Sequence, residues 1–241
     1  MVMHKMTAKM EKGLDPDPEI IAGVGRLVQE GLKDQVFVSG EGLWPSSQRV
    51  RLTYANGKRT ITDGPFGEAK ELIGGFSLLR VRSKEEAIEW CDRFAAVIGD
   101  MDVVLGPVVE PWDLGIARKP AQPPLRFLSL YQADEGSQGD TPRDPALVAK
   151  LDALIGEMRA AGALQGTGGL EHTKHGARIR YKGGKRSVID GPFAESKELI
   201  AGYAIIEVPP KAAAIDWALR FGDVVKVEEI DVRLMQTRLE P

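Results

Sequence analysis

Apolar residues recur along this chain with two periods, and each period marks an element. Ile20, Ile21, Val24, Leu27, Val28 and Leu32 fall at helical spacing and predict an amphipathic helix that packs on a flat surface. Asp15-Pro16-Asp17-Pro18 precedes it, an acidic cap with proline in the first turn. A short strand is expected at Gln35–Ser39. Val50, Leu52 and Tyr54 then alternate with polar residues, Asn56-Gly57 interrupts, and Thr60 to Thr62 returns. That is a β-hairpin, because both residues of a tight turn need positive φ and Asn-Gly supplies it. Leu72–Val81 is a continuous apolar run, as expected of a central strand. Ser83-Lys84-Glu85-Glu86 forms a capping box ahead of Ala87, Ile88, Trp90, Phe94 and Val97. A last strand is expected at Asp102–Glu110.

The whole series occurs twice. KRTITDGPFGEAKELIGGF is answered 127 positions later by KRSVIDGPFAESKELIAGY. Residues 41–110 and 168–237 align without a gap, about a third of the positions being identical. A repeat of this length decides the architecture before any single element does. Each copy reads β-α-β-hairpin-β-α-β, the ferredoxin-like order of an α+β fold. The expected organisation is a first copy at 1–112, a linker at 113–124 and a second copy at 125–241. Pro111, Pro120, Pro123 and Pro124 mark the join as extended chain.

Composition narrows the function only by exclusion. The net charge is −3 over 241 residues. Lys+Arg against Asp+Glu is 16 to 18 in residues 1–120 and 16 to 17 beyond, so −2 and −1. Neither half carries a basic surplus, and direct nucleic-acid binding is not expected. Cys91 is the one cysteine, which fits a reducing, cytoplasmic setting. No apolar run is long enough for a membrane span. Gly23-Val24-Gly25 lies inside a helix and lacks the third glycine of a dinucleotide fingerprint.

The motif itself carries a resemblance. Asp-Gly-Pro-Phe followed by A/G-E-x-K-E-L-I-x-G-F/Y resembles the DGPF proteins of the YCII-related family. The resemblance implies a dimeric α+β barrel, two ferredoxin-like units set sheet to sheet with helices outside. Most members are single-copy and pair as homodimers, so the tandem copies here would form that pair within one chain. A His and Asp pair in the family has suggested enzymatic activity, with the His in the first helix in a segment like R-P-x-H-L. The matching segments are Asp17-Pro18-Glu19-Ile20 and Asp144-Pro145-Ala146-Leu147, without histidine. The family's Asp corresponds to Asp92 in the first copy and is replaced by Leu219 in the second. The dyad is therefore not transferred. The resemblance also implies an association with extracytoplasmic-function sigma factors, as a regulatory or interaction protein.

Within such a barrel the candidate residues are few. Asp63 and Asp190 are read first as turn residues whose carboxylates accept backbone N–H bonds. Their functional reading is catalytic, as carboxylates at the barrel mouth. Phe66 and Phe193 are expected to anchor that turn in the core. His4, at the end of the first strand, is the candidate acid/base partner of Asp63; Tyr131 replaces it in the second copy. Arg59 and Arg186 flank the hairpin turns, and Arg51 and Arg178 lie within the hairpins. A planar guanidinium suits a carboxylate or phosphate, so these four are the candidate ligand-binding residues. Glu68, Lys70, Glu71 and their counterparts Glu195, Lys197 and Glu198 read as exposed loop charges. His172 and His175 stand in an H-x-x-H spacing without a third ligand, and no metal or cofactor is expected. The reading is a cleft for a small polar or anionic molecule. A higher homo-oligomer is compatible with it.

Overall fold

The structure is a computed structural model that describes residues 1–14, 17–66, 72–132, 144–193 and 199–236. The first copy comprises β1 (Val2–Lys5), α1 (Pro18–Lys33), β2 (Phe37–Leu43), β3 (Val50–Ala55), β4 (Lys58–Asp63), β5 (Ile73–Val81), α2 (Lys84–Ile98) and β6 (Met101–Val109). The second comprises β7 (Leu125–Gln132), α3 (Pro145–Ala160), β8 (Leu164–Gly169), β9 (Ala177–Lys182), β10 (Lys185–Asp190), β11 (Ile200–Ile206), α4 (Lys211–Val225) and β12 (Glu229–Val232). The chain is thus α+β, with its elements in the expected order.

The local signals work as the residues dictate. Asp17, Asp144 and Ser83 cap α1, α3 and α2 by accepting the backbone N–H of Glu19, Ala146 and Glu86, which satisfies donors a helix start leaves orphaned. Asn56 and Gly57 both have positive φ, as do Gly183 and Gly184. Gly23 allows α1 to approach α4, since a Cβ there would lie 2.6 Å from Val224 Cγ1.

Strand pairing departs from the repeat. One sheet runs β4-β3-β6-β7-β5-β8 and the other β10-β9-β12-β1-β11-β2. Each keeps the ferredoxin-like order with a hairpin added beside the last strand. However, β1 lies between β11 and β12 of the second copy, and β7 lies between β5 and β6 of the first. The copies have exchanged their first β-α-β units. The helices follow, α1 packing beside α4 and α3 beside α2. The physical cause is the join. After β6 the chain reverses, and β7 returns antiparallel beside it, from Val103↔Tyr131 to Pro107↔Phe127. Sequential strands usually become neighbours. With that slot taken by β7, β1 finds its place in the other sheet.

Three apolar layers result. Val50, Leu52, Leu79, Val103 and Leu105 pack with Ile88 and Met158 between the first sheet and its helices. Val2, Ile179, Ile230 and Ala218 do so for the second. A middle layer joins Met3, Leu43, Ile200 and Tyr203 of one sheet to Phe76, Leu78, Leu128 and Leu130 of the other, so the sheets meet through their helix-free faces. At one margin β2 pairs with β6 at Gly42↔Val109 and Leu43↔Val108. At the other, β12 ends at Val232. Leu170 and Met235 then form a bridge, flanked by Glu171 N–H to Leu234 O and Gln236 N–H to Gly169 O, both 2.9 Å. Among the described residues no helix is long and apolar enough to cross a membrane.

Candidate functional site

The repeated Asp-Gly-Pro-Phe turn divides its labour residue by residue. Gly64 N–H donates to Arg49 O at 3.0 Å, and the turn passes so close to Ser46 that a Cβ on Gly64 would sit 1.8 Å from its carbonyl oxygen. Gly191 stands in the same relation to Thr173 O, again at 1.8 Å. Both Gly-Pro peptides are cis. Phe66 packs on Met6, Leu199 and Ala201 and lies under the Arg51 guanidinium, 4.7 Å from ring centre to Cζ. Phe193 does the same for Arg178 at 4.4 Å. The aspartates point outward: Asp63 is 79 % exposed beside Lys84 Nζ at 3.5 Å, and Asp190 receives Lys211 Nζ at 2.6 Å. Each carboxylate is thus turned toward a lysine of the following helix. The neighbouring Glu68, Lys70, Glu71, Glu195, Lys197 and Glu198 lie outside the described residues.

His4 is placed differently from its expected role. Its ring faces the helix layer, 5.3 Å from Phe221, in a strand that pairs with β11 and β12. Asp63 belongs to an edge strand of the other sheet, so the anticipated His4–Asp63 pair does not form. Burial, and then the charges of Arg49 and Lys5, hold His4 down to about 4, so the imidazole is neutral near pH 7. Between its ordinary value of 6.5 and about 4 the unfolded chain binds a proton that the fold refuses. Stability must therefore fall as pH drops through that window. A His4→Gln variant is expected to lose this part of the acid sensitivity, up to about 3 kcal/mol, read as urea midpoints compared at pH 7 and pH 4.5. Equal pH slopes in both proteins would refute it.

The arginines separate into three environments. Arg59 pairs with Asp92, and Arg186 with Asp223, on the surface, where ion pairs contribute little. Arg178 is sealed in, 2 % exposed. Its Nε and Nη2 donate to Asp231 Oδ1 and Oδ2 at 2.6 and 3.0 Å, and Glu229 lies 3.3 Å away. Lys5 Nζ reaches the same Asp231 at 3.1 Å. Burial alone would raise Asp231, but Lys5 and Arg178 outweigh it and hold the carboxyl below its usual range. As a ligand-binding residue Arg178 is corrected by this geometry: the protein's own carboxylates occupy it. Arg51, its counterpart, stays half-buried, with Nε and Nη2 unpaired among the described residues.

Two further arginines escaped the sequence reading. Arg49 donates Nε to Trp44 O at 2.6 Å and Nη1 to Ile200 O at 2.8 Å. Arg233 donates Nη2 to Glu171 O at 2.5 Å and Nη1 to Ile73 O at 3.2 Å. The acceptors are equivalent positions of the two copies; the donors are not. Arg49 precedes β3 and packs over Gly106, whereas Arg233 follows β12 and packs over Gly176. Each margin between the sheets is thus clipped by one guanidinium supplied from opposite strands. The signal was present as Arg facing Gly at positions 49/176 and 233/106, unreadable without the strand pairing.

A cavity of about 620 Å³ opens at the end of the first sheet. Tyr54, Phe94, Met101, Tyr131 and Leu170 make its apolar wall; Asp100, Asp102, Gln132, Glu171, His172 and Arg233 supply polar groups. Arg233 is 2 % exposed, and among the described residues its Nε has no partner. Asp102 Oδ1 accepts from Thr53 Oγ1 at 2.5 Å, and His172 Nδ1 accepts from Lys174 N–H at 2.9 Å. None of His4, Arg51, Arg59, Asp63, Arg178, Arg186 and Asp190 lines it.

Comparison with known proteins agrees with the duplicated architecture. The YCII-related domain matches twice, at residues 1–101 and 125–224. The chain belongs to the YCII-related family. An uncharacterized protein of Rhizobium meliloti (strain 1021), R00369, is 33% identical over 75 residues, 31% of this chain and 60% of that protein. The match thus spans less than two thirds of the relative. No solved structure matches this chain. In this YCII-related chain Asp92 is held by Tyr54 Oη at 2.8 Å and by Arg59, contacts that tie the hairpin to α2.

Proposed function

We propose that this YCII-related chain is an intramolecular dimeric α+β barrel that binds a small polar molecule in the cavity at the end of its first sheet. Support for closure comes from the two margins, β2 with β6 and residues 169–171 with 234–236, and from the apolar layer between the sheets. Paired margins leave fewer sheet edges exposed. The observation that carries the binding reading is the composition of the cavity. Its volume of about 620 Å³ suits a small metabolite, and it joins aromatic walls to a few convergent polar groups.

The test is a thermal-shift screen of small acids, amines and aromatic metabolites against the full chain and an Ile98→Trp variant. Ile98 lies on the cavity rim and is 36% exposed, so the indole fills space without disturbing the core. Hits are expected to raise the melting temperature of the parent and not of the variant. Equal responses would place the ligand elsewhere. The regulatory alternative, a partner of an extracytoplasmic-function sigma factor, predicts no hit and recovery of the sigma factor on the tagged chain.

A further inference from the structure

The two copies treat one guanidinium in opposite ways. In the second, Arg178 faces Asp231 across the strand pair, and that carboxylate takes Nε and Nη2 together. In the first, Arg51 faces Val104, and among the described residues the same two nitrogens, Nε and Nη2, are buried without an acceptor. Phe66 supports Arg51 as Phe193 supports Arg178. The diagonal acid differs too. Glu229 comes within 3.3 Å of Arg178, whereas Asp102, one methylene shorter, is bonded to Thr53 Oγ1 at 2.5 Å. Buried donors left unpaired are costly, and charged ones more so. Arg51 as a residue is half-buried where its counterpart is 2 % exposed, although its Nε and Nη2 are themselves covered.

We infer that Arg51 is an anion site for a carboxylate supplied from outside the chain, docked on its Nε and Nη2 edge as Asp231 docks on Arg178. The second copy carries its own carboxylate; among the described residues the first supplies none to these nitrogens. A carboxylate matches the planar fork bidentately, and the second copy shows that geometry in the same scaffold. Arg51 does not line the cavity, although Thr53 and Asp102 of the cavity wall adjoin it in β3 and β6. The site therefore stands apart from the small-molecule reading above.

The test compares melting temperatures of the full chain in sodium formate, sodium phosphate and sodium chloride at equal ionic strength. Formate is expected to raise the midpoint about 2–4 °C above chloride, as site-specific binding to the fold does in a chain of this size. Val104→Asp places the missing carboxylate on β6 and is expected to abolish the formate response. Arg51→Gln removes the fork and is expected to abolish it by the other route, which keeps the test decisive if the first variant fails to fold. Ile98→Trp is expected to leave the response intact, so failure of the cavity reading and of this one are distinguishable. No difference between formate and chloride, an equal effect of phosphate, or a response surviving in Arg51→Gln would each overturn the inference.

Discussion

Replacing Asp231 with alanine is expected to destabilise this protein by about 3–5 kcal/mol, the range for breaking a buried ion pair from one side. Lys5, Arg178 and Asp231 are 2%, 2% and 3% exposed. Removing the carboxylate leaves two buried cations facing each other in a medium that screens them poorly. Glu229 still reaches Arg178 at 3.3 Å, so the loss falls mainly on Lys5. Replacing Lys5, Arg178 and Asp231 together with apolar residues of similar size is expected to recover most of the loss, because no charge is then left unpaired. Urea denaturation of the single and triple variants measures both. A single variant within about 1 kcal/mol of the parent would show that water or another group neutralises the site. Acid acts in the same direction. The Asp231 carboxyl is held below its ordinary value of 3.8, so its stabilisation is present above that value and is lost as pH falls through the folded one.

Gly64→Ala and Gly191→Ala are expected to cost more than about 4 kcal/mol each, or to prevent folding. The argument is clearance alone. A Cβ at 1.8 Å from Ser46 O or Thr173 O overlaps a backbone atom, which cannot rotate away as a side chain can. Retreat of the turn is also opposed, since Gly64 N–H is held by Arg49 O at 3.0 Å and Gly191 N–H by Gly176 O at 3.2 Å. Asp63→Asn, one residue earlier, is expected to stay within about 0.5 kcal/mol of the parent, because its partner Lys84 is a surface ion pair. Thermal denaturation of the three variants decides. Equal tolerance of alanine at 64 and asparagine at 63 would remove the close approach as the reason for glycine in the motif.

Much of this architecture was legible in the residues. The caps at Asp17, Ser83 and Asp144, the Asn56-Gly57 turn and the apolar strand ending at Val81 are local. Each depends on a few neighbouring side chains and their preferred dihedrals. The motif was legible as a turn, and its phenylalanine as an anchor. The aspartate was not legible, because Asp-Gly-Pro reads as turn chemistry and as a candidate site alike. Only the placement of Lys84 and Lys211 showed where the carboxylates point.

Sequence alone determined that there are two equivalent copies, which elements each contains, and which positions within them are apolar. It did not determine which β1-α1-β2 unit belongs to which sheet. Both units carry the same pattern and suit either slot, and the choice falls to the reversal between β6 and β7. Nor did it distinguish Arg51 from Arg178. Their neighbours in the chain are alike, and the residues that separate them, Val104 and Asp231, lie 53 positions further on in each copy. Only strand pairing brings those residues face to face, and only burial makes the presence or absence of a single carboxylate decisive.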